Sequence, residues 1–158
     1  MTLTGLGYDI HRFAAGRRLV LGGVLIPHDQ GLEGHSDADV LSHAIADAVL
    51  GAVGERDIGH HFPDTDEAIR GIDSLEIVRK SAQLAAARGA CIMNIDATLL
   101  AEAPKIGPHI EAMRAKLSDA LGLDPRRIGL KATTNEGLGA IGRGEGIAAL
   151  AVASVEMP

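Results

Sequence analysis

With 158 residues the chain is the length of one domain, here read as spanning 1–158, and can bury roughly two thirds of the surface its unfolded form exposes. Two Phe, one Tyr and no Trp leave the core to Ala, Val, Ile and Leu, and a formal net charge of −6 argues against a nucleic-acid binder, which needs a basic face. A single cysteine, Cys91, excludes a disulfide framework. The longest apolar run, 147–155, is too short to cross a bilayer, and Asp9, His11 and Arg12 stand where a secretory signal would be apolar, so a cytoplasmic protein is expected.

In chain order, residues 3–11 read as a strand running into a polar end. Segments 18–21 and 24–26 flank Gly22-Gly23, a pair suited to a primed hairpin turn. A helix is predicted over 39–53, capped by Ser36 or Asp37, with Leu41, Ile45, Ala48 and Ala52 on an apolar side and Asp39, His43 and Asp47 on a polar stripe. Asp73 with Glu76 resembles a capping box for a second helix, which carries Leu75, Val78, Ala82 and Ala85 and stops at Gly89. Residues 92–100 alternate as a strand, with Met93, Ile95, Ala97 and Leu99 on the core side, and Cys91 beside them is expected to be a buried thiol. Pro108 opens a third helix with Ile110, Met113, Leu117 and Leu121, ended by Gly122. Strands at 128–132 and 147–155 follow, the last apolar on both faces and hence central or interfacial.

The early hairpin rules out a purely parallel sheet. The class expected is α+β, a mixed β-sheet with helices packed on one face. The other face would carry small apolar groups, a surface that self-association normally covers.

Chemistry gathers in the polar segments. Asp9 and His11 lie two apart on a strand, hence on one side, and with His43 they offer three oxygen or nitrogen ligands to a zinc ion with a fourth position open. The same residues also describe a helix-surface histidine with acidic neighbours. Gly34-His35-Ser36-Asp37-Ala38-Asp39 combines an imidazole, a hydroxyl and helix-start amides, a phosphate cradle or an ordinary N-cap. Residues 57–66 are too polar and breaker-rich for a regular element, and their Asp and His side chains suit a metal, polyol hydroxyls or a solvated turn. Lys105 after a strand, Thr133, Thr134 and Glu136 after another, and Arg143 in a glycine-rich loop add a candidate phosphate partner, hydroxyls, a magnesium ligand and a fork-shaped cation that can equally pair with Glu145.

In order and spacing, Gly7-Tyr8-Asp9-Ile10-His11, Gly34-His35-Ser36-Asp37-Ala38-Asp39-Val40, Asp57-Ile58-Gly59 with Phe62-Pro63-Asp64-Thr65-Asp66, Ala103-Pro104-Lys105, Lys131-Ala132-Thr133-Thr134 and Gly142-Arg143-Gly144-Glu145-Gly146 closely resemble the 2-C-methyl-D-erythritol 2,4-cyclodiphosphate synthase family. The resemblance covers essentially the whole chain. It implies a metal-assisted intramolecular phosphoryl transfer on 4-diphosphocytidyl-2-C-methyl-D-erythritol 2-phosphate with release of CMP, in isoprenoid precursor biosynthesis. It implies a homotrimer with the sheets of three subunits facing the trimer axis and active sites between subunits. By motif, Asp9, His11 and His43 look like the Zn2+ ligands and Glu136 like the Mg2+ or Mn2+ ligand at the diphosphate. His35 and Thr134, with Ser36 beside them, match positions that hold the transferring phosphoryl group. Asp57, Gly59, Phe62, Asp64 and Asp66 match the methylerythritol loops, and Ala101, Ala103, Pro104, Lys105, Gly107 and Thr133 the cytidine pocket. No general base is assigned, and His28, His60, His61 and His109 stay peripheral.

Ala140-Ile141 stands where a member of the family has Phe-Thr, so an aromatic contact near the axis is missing. Three copies of Arg143 around an axis above an apolar channel would suit an isoprenoid diphosphate, head and tail. Two other readings share these residues: a zinc phosphohydrolase using water in the open metal position, and a trimeric ligand-binding module without turnover.

Overall fold

The computed structural model describes all residues from Met1 to Pro158. In chain order the strands are β1 (Thr2–Ala14), β2 (Leu19–Leu21), β3 (Val24–Ile26), β4 (Gly31–Leu32), β5 (Cys91–Leu100), β6 (Ile128–Thr133) and β7 (Gly146–Glu156). The helices are α1 (Val40–Ala52), α2 (Ile58–His61), α3 (Ser74–Ala87), α4 (Ile110–Leu121) and α5 (Gly139–Gly142), with short 3-10 turns at Glu67–Ile69, Gly107–His109 and Pro125–Arg127. The main sheet runs β4-β1-β7-β5-β6; β7 is antiparallel to β1 and β5, and β5 is parallel to β6. The mixed α+β architecture with helices on one face is therefore as expected, and the apolar 147–155 segment is its central strand. No helix is long and apolar enough to cross a membrane.

Alternation sets the core side. On β7, Ile147, Ala149, Ala151, Ala153 and Val155 are buried, and Ile95, Ala97 and Leu99 continue that surface on β5. β1 meets it with Gly5 and Gly7, across which α1 lies. A Cβ added at Gly7 would stand 1.8 Å from the Ala44 carbonyl oxygen, and one at Gly5 2.1 Å from that of Ala48. Only glycine allows helix and strand backbones to come so close.

That approach corrects the amphipathic reading of α1. Packed between β1, β7 and α3, the helix buries Asp39 at its start and His43 as well as its apolar side. Its cap is Asp39, not Ser36 or Asp37. The Asp39 carboxylate accepts from Ser42 N at 3.1 Å, from the Ser42 hydroxyl at 2.7 Å, and from Gly22 N and Gly23 N at 2.9 and 2.7 Å. The β2–β3 turn, with φ of +56° and +74° at those glycines, is thus tied to the start of α1.

Three further expectations change. A bulge between Ile92 and Asn94 on β5 leaves Met93 exposed and packs Ile92 against the core in its place. Cys91 is exposed, because it starts β5 opposite Glu156 beyond the cover of the helices. The uncovered sheet face holds large groups as well as small ones: Leu6, Tyr8, Ile10, Leu150 and Val152 are 69, 54, 45, 40 and 42 % exposed. The other helices follow the sequence. Asp73 caps α3 through Leu75 N, although Glu76 pairs with Arg79 rather than closing a capping box, and Gly122 ends α4 at φ +63°.

Candidate active site

The close packing of β1 on α1 builds the site. Asp9 and His11 project from the core side of β1 just beyond Gly7, and His43 stands on α1 one turn after its cap Asp39, its amide donating to the Asp39 carbonyl at 3.0 Å. Asp9 Oδ2 lies 2.9 Å from His11 Nε2 and 3.0 Å from His43 Nδ1, and the two imidazole nitrogens are 3.4 Å apart. Burial pushes the Asp9 carboxyl up, but hydrogen bonds from His11 and His43, reinforced by their charge, hold it at about 2. Burial likewise disfavours a proton on His11, yet its hydrogen bond to Asp9 raises its pKa above the usual imidazole value.

The outer nitrogens decide what the inner ones offer. His11 Nδ1 faces only an acceptor, the Glu33 carbonyl at 2.7 Å, so it donates there, and a cation taking the place of the proton between Nε2 and Asp9 would meet the Nε2 lone pair. Two lone-pair nitrogens and a carboxylate converging within 4.8 Å fit a zinc-type cation held by three protein ligands. The fourth direction opens into a cavity of about 400 Å³ with Gly34, His35 and Ser36 at one end and Gly59, Phe62 and Asp64 at the other.

Residues 57–66 are not irregular throughout. Asp57 caps the single turn α2, accepting from Gly59 N at 3.1 Å, and Asp66 caps the 3-10 turn after it, accepting from Ala68 N at 2.9 Å. Asp57 and Asp66 shape the loop and do not line the cavity, though His35 Nε2 donates to the Asp66 carbonyl at 3.3 Å.

The remaining candidates lie elsewhere. Ala101 N donates to the Thr133 carbonyl at 3.0 Å, and Asn135 N to Glu102 Oε1 at 2.7 Å, so the 101–107 and 133–137 loops form one unit beyond β5 and β6. Ala103, Pro104, Lys105, Gly107, Thr133, Thr134 and Glu136 all belong to it, with Glu136 at φ +53° and its amide donating to Thr134 Oγ1. None of them lines the metal-capable cavity. In the order β1-β7-β5-β6 they sit two to three strands, roughly 10–14 Å, from Asp9. Arg143 pairs with Glu145 at 2.6 Å, and the adjoining Ala140 and Ile141 border a second cavity of about 530 Å³ with Ile10, Arg12 and Phe13.

Sequence reasoning missed three supports. Arg17 donates to the carbonyls of Gly34 and Ser36 at 2.8 and 2.7 Å, clamping the His35 loop. Asp47 Oδ1 accepts from Ile58 N at 2.8 Å and so fixes where α2 begins. Ser74, at the first position of α3, touches His43 through its hydroxyl at 2.9 Å. The available signal was a hydroxyl at the buried start of a helix; the partners are distant in sequence.

Fold and donor set together define an α+β protein with a metal-capable Asp/His/His centre. Residues 2–156 match the YgbB family. A 2-C-methyl-D-erythritol 2,4-cyclodiphosphate synthase of Akkermansia muciniphila is 58 % identical over 100 % of this chain and 94 % of its own. The bifunctional IspDF of Campylobacter jejuni superposes with a TM-score of 0.96 at 40 % identity; the match covers all of this chain but only 43 % of that longer one. An IspF of Plasmodium falciparum, solved as a CDP complex, gives a TM-score of 0.85 at 32 % identity over 98 % of this chain and 95 % of its own. The chain belongs to the YgbB family of 2-C-methyl-D-erythritol 2,4-cyclodiphosphate synthases.

Proposed function

We propose that this chain converts 4-diphosphocytidyl-2-C-methyl-D-erythritol 2-phosphate to 2-C-methyl-D-erythritol 2,4-cyclodiphosphate and CMP, acting as a phosphorus-oxygen lyase of isoprenoid precursor biosynthesis in the cytoplasm. The observation that carries the reading is the Asp9–His11–His43 cluster beside a cavity lined by His35, Ser36 and Asp64, in a chain of this family. Relatives solved with CDP support a cytidine diphosphate as the part of the substrate that is recognised.

In this reading Asp9, His11 and His43 hold Zn2+, and Glu136 holds Mg2+ or Mn2+. When bound, the two cations would draw charge from the diphosphate oxygens and reduce repulsion between phosphates. The substrate's 2-phosphate is the nucleophile: its oxygen bonds to the β-phosphorus as the bond to the CMP oxygen breaks. It is already anionic, so no side chain has to take a proton. What remains is positioning. His35 and Ser36, clamped by Arg17, face the phosphoryl group from one end of the cavity, with Thr134 completing the contact. Gly59, Phe62 and Asp64 enclose the methylerythritol hydroxyls, with Asp57 and Asp66 fixing that loop. Ala101, Ala103, Pro104, Lys105, Gly107 and Thr133 take the cytidine.

The phosphate-holding and cytidine-holding groups stand apart within one chain, and the sheet face opposite the helices exposes Leu6, Tyr8, Ile10, Leu150 and Val152. Both features support a homotrimer in which these faces meet at the axis and the 101–107 and 133–137 loops of one subunit complete the cavity of the next. Arg143 and the cavity beside Ala140 support an isoprenoid diphosphate near that axis. Incubating the purified chain with the cytidylyl substrate and both metals tests the assignment: CMP and the cyclic diphosphate in equal amounts are expected, and free phosphate without a cyclic product would overturn it in favour of hydrolysis.

A further inference from the structure

His43 is the one member of the Asp/His/His cluster held from behind by side chains. Its Nε2 lies 2.9 Å from Ser74 Oγ and 3.2 Å from Ser36 Oγ. Ser74 is completely buried at the first position of α3, thirty-one residues away in sequence. Its hydroxyl hydrogen is committed elsewhere, because Ser74 Oγ donates to Asp37 Oδ1, and Asp37 Oδ2 accepts from Ser74 N at 3.0 Å. A carboxylate offers no hydrogen, so the Ser74 oxygen has only lone pairs left for the imidazole. His43 Nε2 must then be the donor, which leaves Nδ1 to offer its lone pair to a cation shared with Asp9 and His11.

We infer that Ser74, oriented by Asp37, is a positioning residue for the metal centre: it selects the tautomer of His43 that presents Nδ1 and fixes the ring's rotation. This rests on the reading of Asp9, His11 and His43 as metal ligands. Direct partners of a ligating histidine change metal affinity by about 10–100-fold when removed. Two further contacts join the same unit. Ser36 accepts from Ala38 N at 3.1 Å, and because Ser74 has given its hydrogen to Asp37, the 3.4 Å contact between the two hydroxyls has Ser36 donating to Ser74, which ties the cavity wall to the same unit. Asp37 N donates to the Ile72 carbonyl and Gly71 N to the His35 carbonyl, at 3.2 and 3.0 Å, so the chain segment that walls the cavity is anchored at the same Asp37–Ser74 unit. Repositioning that segment would be felt at His43 through one hydroxyl.

Zinc affinity, by chelator competition on the full chain, separates this inference from the ligand assignment. One zinc per chain is expected for the parent protein and none for His43→Ala; a parent that binds no zinc would remove both. Ser74→Ala is expected to bind zinc 10–100-fold more weakly, and Ser74→Thr, which keeps the hydroxyl, to stay within about threefold of the parent. Ser74→Ala at parental affinity would overturn the role of Ser74 while leaving the ligands intact, and so would a Thr variant as weak as Ala. Should Ser74→Ala fail to fold, nitrogen–proton correlation on the zinc-loaded parent decides: a His43 Nε2–H protected from exchange supports the assignment, and its absence refutes it.

Discussion

Gly7→Ala is the sharpest test of how the fold makes the site, because β1 carries Asp9 and His11 while α1 carries His43, and Gly7 sets the spacing between them. The added Cβ would stand 1.8 Å from the Ala44 carbonyl oxygen, where ordinary contact begins near 3.4 Å. Separating strand and helix accordingly requires a movement of about 1.6 Å at this point, and the obstructing atom is main chain in the middle of a helix, which has no rotamer to change. Overpacking of a core costs about 1–3 kcal/mol, and this site belongs at the top of that range. For a chain of this length about 3 kcal/mol lowers Tm by roughly 6–12 °C. The consequence for function is larger. Metal–ligand distances tolerate only about 0.2 Å, so even a fraction of the movement pulls His43 out of reach of a cation held by Asp9 and His11. Thermal unfolding and zinc content should both be measured, with Gly51→Ala as control. Gly51 also lies on α1, but a Cβ there meets nothing closer than 3.9 Å, and the change should raise stability by about 0.5–1 kcal/mol through helix propensity. A Gly7→Ala protein that melts with the parent and retains zinc would refute the claim that this contact spaces the ligands.

His43→Ala is expected to lose zinc and CMP release together while remaining folded; activity surviving the loss of zinc, followed by metal analysis and nucleotide assay, would contradict the role given to the cluster. Glu136→Gln should keep zinc but need several-fold more magnesium for half-maximal turnover, since an amide lacks the charge a hard cation prefers, and an identical magnesium titration would remove Glu136 from the site. Calorimetric titration with geranyl diphosphate should give tighter binding for Ala140→Phe and weaker binding for Arg143→Ala than for the parent; equal affinities in all three would dispose of the axial site.

Much of this protein is legible from local pattern. The alternation in 92–100, the spacing of Leu75, Val78 and Ala85, the capping Asp73 and the Gly22-Gly23 turn each express a conformational preference that acts within a few residues, and each element formed where its pattern lies. The family resemblance nominated Asp9, His11 and His43 together; two-residue spacing on a strand accounts only for Asp9 and His11 sharing a side. Tertiary structure decided what no local rule contains. Asp39 and His43 of the polar stripe of α1 became buried, with Asp47 left half-buried, because Gly5 and Gly7 let the helix sink onto β1. The cap moved to Asp39 because the β2–β3 turn brought two more amides to its carboxylate. The bulge at Met93 shifted which apolar group faces inward, and Cys91 fell outside the helical cover. Ser74 met His43 because α3 begins against α1. Such contacts join residues tens of positions apart, and their energies depend on distances of a few tenths of an ångström that only the packed chain defines.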